Sequence, residues 1–188
     1  AVRGRAVEQI KGLVQLAARF GAKVNVGRVR GFIPDGESPE IAKERFLACL
    51  RECADFAAGL DVELLLEPVN RYEINYINSV PEALDVLARL GRPNVKVMPD
   101  VFHMNIEDKS IVGSLVQAGE AIGYMHLADS NRWAPGKGHL NLPDIVRTLA
   151  AIGYDWYVTA EILPYPDPDT AAASTIQYLR QIIPDSHA

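Results

Sequence analysis

The amino-acid sequence predicts an α/β fold in which parallel strands close into a (β/α)8 barrel. Patterns typical of a helix and of a short buried strand alternate five times along the chain. No Asn-Gly or similar turn joins two apolar runs, so the strands are expected to be parallel. Four successive apolar runs end in, or contain, a residue of metal-binding type. A barrel brings all its strand ends to one rim, whereas an open doubly wound sheet does not, and we therefore favour the barrel.

The first half of the chain contains two predicted helices and two predicted strands. Apolar residues recur at helical spacing, and Gly21 and Gly59 follow the two stripes where a C-terminal cap belongs. Residues 27–36 are rich in glycine, arginine and proline and are predicted to form a loop. The elements are, in order, a helix over residues 7–17, a strand over 22–26, a helix over 41–57 and a strand over 62–66.

The second half repeats the alternation three more times. Ser79 and Glu82 form a capping-box pattern at the start of a helix that Gly91 ends, and Asp108 is predicted to cap the helix after it. The elements are a helix over residues 79–90, a strand over 95–98, a helix over 108–122, a strand over 124–127, a helix over 141–152, a strand over 157–160 and a helix over 169–183 that stops at Pro184.

The number of predicted units is too small for a complete barrel. Such a barrel has eight strand-helix units and about 250 residues. This chain has 188 residues and five visible units, and it begins with Ala1 in helical sequence rather than with methionine. We therefore expect a single domain over residues 1–188 that is the C-terminal portion of a barrel truncated at its amino end, with about three units absent.

Composition and charge restrict the class of partner. The chain is 48% hydrophobic and 23% charged, with a formal net charge of −5. An acidic chain without a dense run of lysine and arginine is a poor binder of nucleic acid or an anionic membrane, so a small-molecule partner fits better. No signal-peptide pattern and no apolar run of about 18 residues occurs, and we expect a cytoplasmic protein. Cys49 and Cys53 share a helical face and are expected to be buried thiols.

Four residues of metal-binding type accompany successive predicted strands: Glu67, Asp100, His126 and Glu161. They are separated by roughly one strand-plus-helix unit each time, so a barrel would bring them to one rim. Burying an unpaired carboxylate is costly, and Glu67 directly follows a buried run, so it needs a cation, a hydrogen-bond partner or a proton. Three carboxylates and one imidazole suit Mg²⁺, Mn²⁺ or Co²⁺, and Zn²⁺ also fits such a set.

Each of these residues also has a purely structural interpretation. Glu67 could form a salt bridge with Arg71, and Asp100 could cap a turn. His126 could be a hydrogen-bonded core histidine, and Glu161 could pair with a neighbouring strand. Their joint placement at four successive strand ends nevertheless favours a metal site.

Four ordered motifs carry a resemblance to a known superfamily. They are Glu-Pro-Val-Asn-Arg-Tyr-Glu at 67–73, Asp-Val-Phe-His-Met-Asn-Ile-Glu at 100–107, His-Leu-Ala-Asp-Ser-Asn-Arg at 126–132, and Ala-Glu at 160–161. With these motifs the chain resembles the sugar phosphate isomerase/epimerase superfamily, the xylose isomerase-like TIM barrels. Within it the chain is most similar to the ketose 3-epimerases of the D-tagatose/D-psicose 3-epimerase group. The resemblance runs from about residue 3 to residue 183 and implies that the visible strands are the fourth to the eighth.

The resemblance also implies a metal-dependent reaction. In the family, a divalent ion held by residues matching Glu67, Asp100, His126 and Glu161 binds the C2 carbonyl and C3 hydroxyl oxygens of a ketose. The ion, for which we expect Mn²⁺, with Mg²⁺, Co²⁺ or Zn²⁺ as alternatives, lowers the cost of an enediolate. Glu67 and Glu161 then remove and return the C3 proton on opposite faces, which inverts that centre.

Three further residues match substrate-binding positions of the family: Glu73, His103 and Arg132. Their implied role is to hydrogen-bond the sugar near O1 to O3 and so to position it. Arg132 could instead be a surface residue paired with Asp129, and His103 could support the residues that contact the sugar without contacting it itself. The expected partner is a small sugar, with no nucleic acid and no membrane, and the expected assembly is a homo-oligomer, either a dimer or a tetramer.

Two other functions stay open. The hydroxypyruvate isomerase-like enzymes share the fold and the paired glutamates, so a 1,2-aldose/ketose isomerase is an alternative, although residues 70–73 and 130–132 look more like the epimerases. A catalytically silent barrel fragment is the second alternative. Absent strands would remove part of the sugar pocket and leave strand edges unpaired, which invites dimerisation or aggregation.

Overall fold

The computed structural model describes residues 2–183, in which helices and short strands alternate. Short 3-10 turns cover Arg28–Arg30 and Gly119–Ala121. Pro184, where the last helix is predicted to stop, lies outside the described residues. The elements are α1 (Val2–Ala18), β1 (Val24–Val26), α2 (Pro39–Ala58), β2 (Leu64–Leu66), α3 (Val80–Leu90), β3 (Val95–Val97), α4 (Val101–Glu107), α5 (Ile111–Ala118), β4 (Met125–Leu127), α6 (Leu142–Ala151), β5 (Val158–Ala160) and α7 (Pro168–Ile182).

The strands form one parallel arc that follows chain order. β1, β2 and β3 pair side by side, and β4 pairs with β5. Parallel bridges from Val97 to Ile122 and from Asp100 to His126 connect β3 to β4, and the Gly123 N–H donates to the Val97 carbonyl at 2.9 Å. A doubly wound sheet reverses its strand order at a switch point, whereas the strands here follow chain order without a reversal. The arc therefore agrees with the wall of the predicted barrel and not with a doubly wound sheet.

The hydrophobic core lies between the strands and the helices. The central strand β2 is buried on both faces, as expected for parallel strands covered by helices. Leu64, Leu66, Val97, Met125 and Leu127 are fully shielded from solvent. Around them α1 packs on α2 and β1, and α3 packs on α5 and β3. None of the helices described between residues 2 and 183 is both long enough and apolar enough to cross a membrane.

Helix α3 begins and ends where the sequence predicts. The Ser79 hydroxyl accepts from the Glu82 N–H at 3.4 Å, and the Glu82 carboxylate reaches back to the Asn78 N–H at 2.6 Å. At the other end Gly91 adopts φ of +63°, and its N–H donates to the Leu87 carbonyl. Local capping chemistry is sufficient to place both ends of this helix.

The segment after β3 differs from the sequence prediction. Residues 101–107 form helix α4, which has too few turns to show a clear apolar period. Asp100 is its N-cap, and the Asp100 carboxylate accepts from the Phe102 N–H at 2.7 Å. The prediction that Asp108 caps the next helix is wrong. Asp108 ends α4, whereas Ser110 is the N-cap of α5, which is shorter than predicted.

A cavity of about 460 Å³ lies on the inner face of the arc. At the amino ends of the strands, the Lys23 ammonium stands 4.4 Å from the centre of the Trp156 ring and donates to the Gly123 carbonyl at 2.9 Å. These contacts connect the residue before β1 with the segment before β5. The cavity lining takes residues from every strand or its edge: Asn25, Leu65, Met98, Tyr124, His126 and Thr159.

Candidate active site

The carboxyl ends of the strands converge at one rim of the arc. Glu67 follows β2, His126 lies in β4, Glu161 follows β5, and Asp100 begins α4 shortly after β3. The N–H groups of Glu67 and Glu161 still donate to the preceding strand, at 3.4 and 3.0 Å. The sheet ladder therefore extends through both acids and fixes their backbones.

His126 stands among the three carboxylates. Its Nδ1 lies 3.5 Å from Oε1 of Glu67, 3.8 Å from Oδ2 of Asp100 and 3.7 Å from Oε2 of Glu161. Glu67 and Asp100 are buried, whereas the side chain of Glu161 is 46% exposed. The four residues that the sequence predicts as metal ligands are thus brought together around one imidazole nitrogen.

A second imidazole, that of His103, borders the same carboxylates. One of its nitrogens lies within 4.8 Å of a potential ligand oxygen on each of the three acids. However, its Nδ1 is 2.7 Å from Nδ2 of Asn70. An imidazole that accepts this bond at Nδ1 carries its hydrogen on Nε2, so neither nitrogen has a free lone pair for a metal. Of the two histidines, His126 is therefore the better ligand candidate.

The centre of the cluster contains two buried polar atoms without a hydrogen-bond partner among residues 2–183, Oδ2 of Asp100 and Nδ1 of His126. Buried polar atoms are almost always paired, so an unpaired carboxylate oxygen beside an unpaired imidazole nitrogen points to an ion. The other oxygen of Asp100 is held by the Phe102 N–H, which turns Oδ2 inwards. Carboxylate oxygens with one imidazole suit a divalent cation, and this donor set fits one.

Burial and the close approach of charged groups shift the pKa values of these side chains. Burial, together with the neighbouring Glu161, raises the pKa of Asp100 to about 8. Burial opposes ionisation of Glu161, but the neighbouring carboxyl of Asp100 and the charges of His126 and Arg132 lower its pKa overall. Burial also opposes the charge on His126, yet Glu67, Asp100 and Glu161 together raise its pKa. The group thus retains a proton that a divalent cation would displace.

Arg132 joins two acids at the open side of the cluster. Its Nη1 lies 3.0 Å from Oε1 of Glu73, and its Nη2 lies 2.7 Å from Oε2 of Glu161. The guanidinium stands over the Phe102 ring, 4.9 Å from its centre. The backbone of Arg132 has φ of +61°, and its N–H donates to the Asp129 carbonyl at 2.9 Å. Two of the three predicted substrate-binding residues, Glu73 and Arg132, are therefore in direct contact.

Comparison with known protein families identifies the fold. A family model described as the xylose isomerase-like TIM barrel matches residues 1–182. The chain belongs to this family. The predicted barrel architecture of helices and parallel strands is thereby confirmed, and so is the resemblance on which the functional expectations rest.

Relatives of this xylose isomerase-like chain include named sugar epimerases. Over 139 residues the chain is 38% identical to the D-psicose 3-epimerase of Ruminiclostridium cellulolyticum. The aligned part covers 74% of this chain and 47% of that relative. The chain therefore spans about half the length of the curated relatives it matches.

Solved structures show the same likeness. The D-psicose 3-epimerase of Clostridium cellulolyticum H10 with D-tagatose has a TM-score of 0.85 at 26% identity, covering 96% of this chain and 71% of that one. The 3-keto-D-glucoside 4-epimerase of E. coli also has a TM-score of 0.85, at 27% identity over 93% of this chain and 70% of that one.

Asn25 is a site residue of this barrel that the sequence patterns did not single out. From β1 its Nδ2 donates to Oε2 of Glu67 at 2.8 Å. Gly27 leaves room for that carboxylate, since a Cβ at this position would lie 2.7 Å from the same oxygen. The available signal was a polar side chain within an apolar strand next to the strand that delivers Glu67.

Arg30 braces the loops that follow β1 and β2. Its guanidinium donates to the carbonyls of Gly27 at 2.8 Å, Glu67 at 2.9 Å and Ile77 at 2.9 Å. Burial lowers the pKa of Arg30 to about 10. In the sequence Arg30 looks no different from the exposed Arg28, so its role emerges only from the tertiary contacts.

Two of the purely structural alternatives, the pairing of Glu67 with Arg71 and of Arg132 with the Asp129 carboxylate, are not formed in the structure, whereas Asp100 does cap a helix. Arg71 forms a bidentate ion pair with Glu107, at 2.9 and 2.8 Å, rather than with Glu67. The carboxylate of Asp129 accepts from the backbone of its own loop, including the Leu140 N–H at 3.0 Å. Burial opposes ionisation of Asp129, but these backbone bonds lower its pKa overall. The guanidinium of Arg132 thus remains directed at Glu73 and Glu161.

Proposed function

We propose that this chain catalyses the epimerisation of a ketose at C3 with a divalent metal ion as cofactor. The observation that carries the proposal is that Glu67 and Glu161 both approach His126 while each has its own partner, Asn25 for Glu67 and Arg132 for Glu161. Inversion next to a carbonyl requires two separately held groups, because a proton must leave one face and return to the other. The relatives named as sugar 3-epimerases support this reaction.

The residues that would hold the ion are Glu67, Asp100, His126 and Glu161. The unpaired Oδ2 of Asp100 and Nδ1 of His126 support this assignment. When bound, a divalent cation supplies Lewis-acid chemistry that makes the C–H next to a carbonyl more acidic. Mn²⁺ is our first choice because it accepts carboxylate and imidazole ligands, with Mg²⁺, Co²⁺ and Zn²⁺ as alternatives.

Glu67 and Glu161 move the proton in the proposed reaction. One carboxylate removes the proton at C3, and the electron pair left there delocalises onto C2 and its oxygen as an enediolate. The other glutamate, in its acid form, delivers a proton to the opposite face of C3. The bound epimer decides which glutamate acts as the base. When Glu161 has this role, its lowered pKa favours the ionised form that a base needs.

Glu73, His103 and Arg132 are the proposed sugar-binding residues. Arg132 offers N–H donors beside Glu161, and Glu73 offers a carboxylate acceptor that is held by Arg132. His103 offers the hydrogen on its Nε2. Hydrogen bonds from these groups to O1, O2 and O3 would orient C3 between the two glutamates.

Two reactions other than 3-epimerisation could use the same site, and they differ in which carbon of the sugar reacts. A solved structure similar to this chain is a 3-keto-D-glucoside 4-epimerase. Removing a proton from the carbon next to a carbonyl is common to 3-epimerisation of a 2-ketose, to 4-epimerisation of a 3-keto sugar and to 1,2-isomerisation. The same pair of glutamates serves each reaction, and the orientation of the sugar selects among them.

Incubation of the Mn²⁺-loaded protein with a panel of ketoses and 3-keto sugars in D₂O tests the proposal. Deuterium at C3 with inversion is the expected result. Deuterium at C4 of a 3-keto sugar indicates the 4-epimerase, and deuterium at C1 or C2 indicates the isomerase. Bound Mn²⁺ without exchange in any sugar contradicts the proposal and leaves the silent barrel fragment. A Glu67→Gln/Glu161→Gln double variant is the control and should exchange none.

We also propose that the chain assembles as a dimer or tetramer. Within residues 2–183, β1 and β5 each pair with a neighbour on one side only. Unpaired strand edges favour association with another chain. Gel filtration with light scattering should show the oligomer, and a monomer at micromolar concentration would contradict this proposal.

A further inference from the structure

Asn70 lies beside the acids, is 2% exposed and engages its whole side-chain amide in hydrogen bonds. Its Oδ1 accepts from the Tyr72 N–H at 3.0 Å. Its Nδ2 is 3.1 Å from Oε1 of Glu73 and 2.7 Å from Nδ1 of His103. One short amide thus contacts two of the three residues proposed to bind the sugar.

The partners of Asn70 permit only one orientation of its amide. The Tyr72 N–H can only donate, so it requires the amide oxygen. The carboxylate oxygen of Glu73 is an acceptor, so it requires the amide nitrogen. Turning the amide over would set two donors against each other and an oxygen against a carboxylate.

The orientation of Asn70 in turn determines the tautomer of His103. The amide nitrogen that faces Nδ1 of His103 is a donor only, so Nδ1 is the acceptor and the ring hydrogen lies on Nε2. His103 is itself 2% exposed, and its ring packs against Phe102 with the ring centres 5.6 Å apart. Packing and hydrogen bonding therefore hold the imidazole in place together.

We propose that Asn70 is a positioning residue that holds His103 with its hydrogen on Nε2 and holds Glu73 beside Arg132. The inference rests on the proposed sugar-binding function and adds to it the residue that sets the hydrogen-bond polarity of the site. His103 becomes a fixed donor and Glu73 a fixed acceptor. The site therefore selects a keto or hydroxyl oxygen next to His103 and rejects an ammonium group there, which has no acceptor to offer.

Nitrogen NMR of the histidine rings tests the tautomer directly. In Mg²⁺-containing buffer, the His103 signals, assigned by their loss in His103→Gln, should show an unprotonated Nδ1 and a protonated Nε2. Asn70→Asp keeps the size and the acceptor for Tyr72 but replaces the donor that faces His103. In that variant the hydrogen should move to Nδ1. A protonated Nδ1 in the unaltered chain, or no change in Asn70→Asp, would overturn the inference.

Asn75→Asp is the matched control because Asn75 lies in the same loop and, among residues 2–183, its side chain pairs only with the backbone of Ile33, at 2.9 Å in both directions. It should leave the His103 tautomer unchanged. If Asn70→Asp does not fold, as judged by circular dichroism, Asn70→Ala is the second variant. Without the amide donor, Asn70→Ala should show a mixture of both tautomers, and a single Nε2–H form would contradict the inference.

Kinetics separate a positioning role from support of the fold. Asn70→Asp should lower kcat by about 10²-fold, as expected when a substrate contact is misplaced. Its Mn²⁺ affinity should stay unchanged, whereas joint loss of kcat and Mn²⁺ affinity would indicate collapse of the site and contradict the inference. The two proposals fail separately. If His103 has the expected tautomer but no sugar exchanges its hydrogen, only the proposed function is rejected. If a sugar exchanges its hydrogen but His103 has the opposite tautomer, only the role of Asn70 is rejected.

Discussion

Arg132 donates to Glu161 over 2.7 Å and so connects the loop after β4 with the acid that follows β5. The side chain of Glu161 is 46% exposed, and an ion pair of this kind contributes only about 0–1 kcal/mol to stability. In the proposed reaction we therefore assign this pair a role in positioning Glu161 rather than in stabilising the fold. The guanidinium fixes where the carboxylate of Glu161 lies and favours its ionised form.

Replacing Arg132 should weaken the reaction and change its pH dependence. Arg132→Gln is expected to lower kcat/KM by about 10²- to 10³-fold, the usual effect of removing one oriented donor. It should also raise the pKa of Glu161, because Arg132 is among the groups that lower it. A base works above its pKa, so the acid limb of the pH profile of kcat/KM should move to higher pH.

Arg147→Gln is the matched control for Arg132→Gln. Arg147 is exposed on α6 and pairs with Asp144, and neither residue belongs to the candidate site. Its pH profile should match that of the unaltered chain. An acid limb that stays in place in Arg132→Gln would contradict the role assigned to the pair with Glu161.

Metal binding should release a proton from Asp100. The pKa of about 8 means that this carboxyl is largely protonated at pH 7 in the metal-free protein, whereas a ligand must be ionised. The affinity for Mn²⁺ should therefore rise with pH and level off above about pH 8. Titration calorimetry in buffers of different ionisation enthalpy counts the proton, and an enthalpy that is independent of the buffer would contradict this prediction.

The same pKa shift should make the metal-free fold less stable as pH rises. Asp has a pKa of about 3.9 in an unfolded chain and Asp100 has one of about 8 in the fold. The folded state binds more protons between these values, so the free energy of unfolding falls as pH rises through that range. Asp100→Asn should raise the melting temperature at pH 8 in EDTA and abolish stabilisation by Mn²⁺. A lower melting temperature in EDTA would contradict the prediction.

Gly27 should be sensitive to a single added methyl group. In Gly27→Ala the Cβ would lie 2.7 Å from Oε2 of Glu67, so the carboxylate must move from its bond with Asn25. We expect kcat to fall by about 10²-fold, because a displacement of about 1 Å has this effect. Gly12→Ala in α1 is the control, since a Cβ at position 12 meets nothing within 4 Å. This variant should leave kcat unchanged and stabilise the helix by about 0.5–1 kcal/mol. Equal kcat in both variants would contradict the prediction.

The sequence was informative where a residue's position follows from local pattern. Apolar runs place the strands, and the acids that directly follow them, Glu67 and Glu161, come to one rim because parallel strands end at one edge. The capping box at Ser79 is equally local. For the same reason the structure brings His126 and Asp100 to these acids, although their role as metal ligands stays a prediction.

The rest depends on contacts that sequence periodicity does not encode. Helix α4 is too short for a visible period, and Asp108 looks like a cap although Ser110 fills that position. The contact between Asn70 and His103 joins residues in separate units, and its polarity follows from the third partner, Tyr72. Such tertiary hydrogen bonds become visible only once the backbone is in place.

The proton transfer that we propose for Glu67 and Glu161 can be followed by hydrogen exchange at C3 of the sugar. Glu67→Gln and Glu161→Gln, each with its Mn²⁺ content checked, are incubated in D₂O with both C3 epimers of one ketose. Each variant should exchange the C3 proton of only one epimer, a different one for each variant, and neither should invert the centre. Exchange of both epimers, or inversion, by either variant would contradict the division of proton transfer between Glu67 and Glu161.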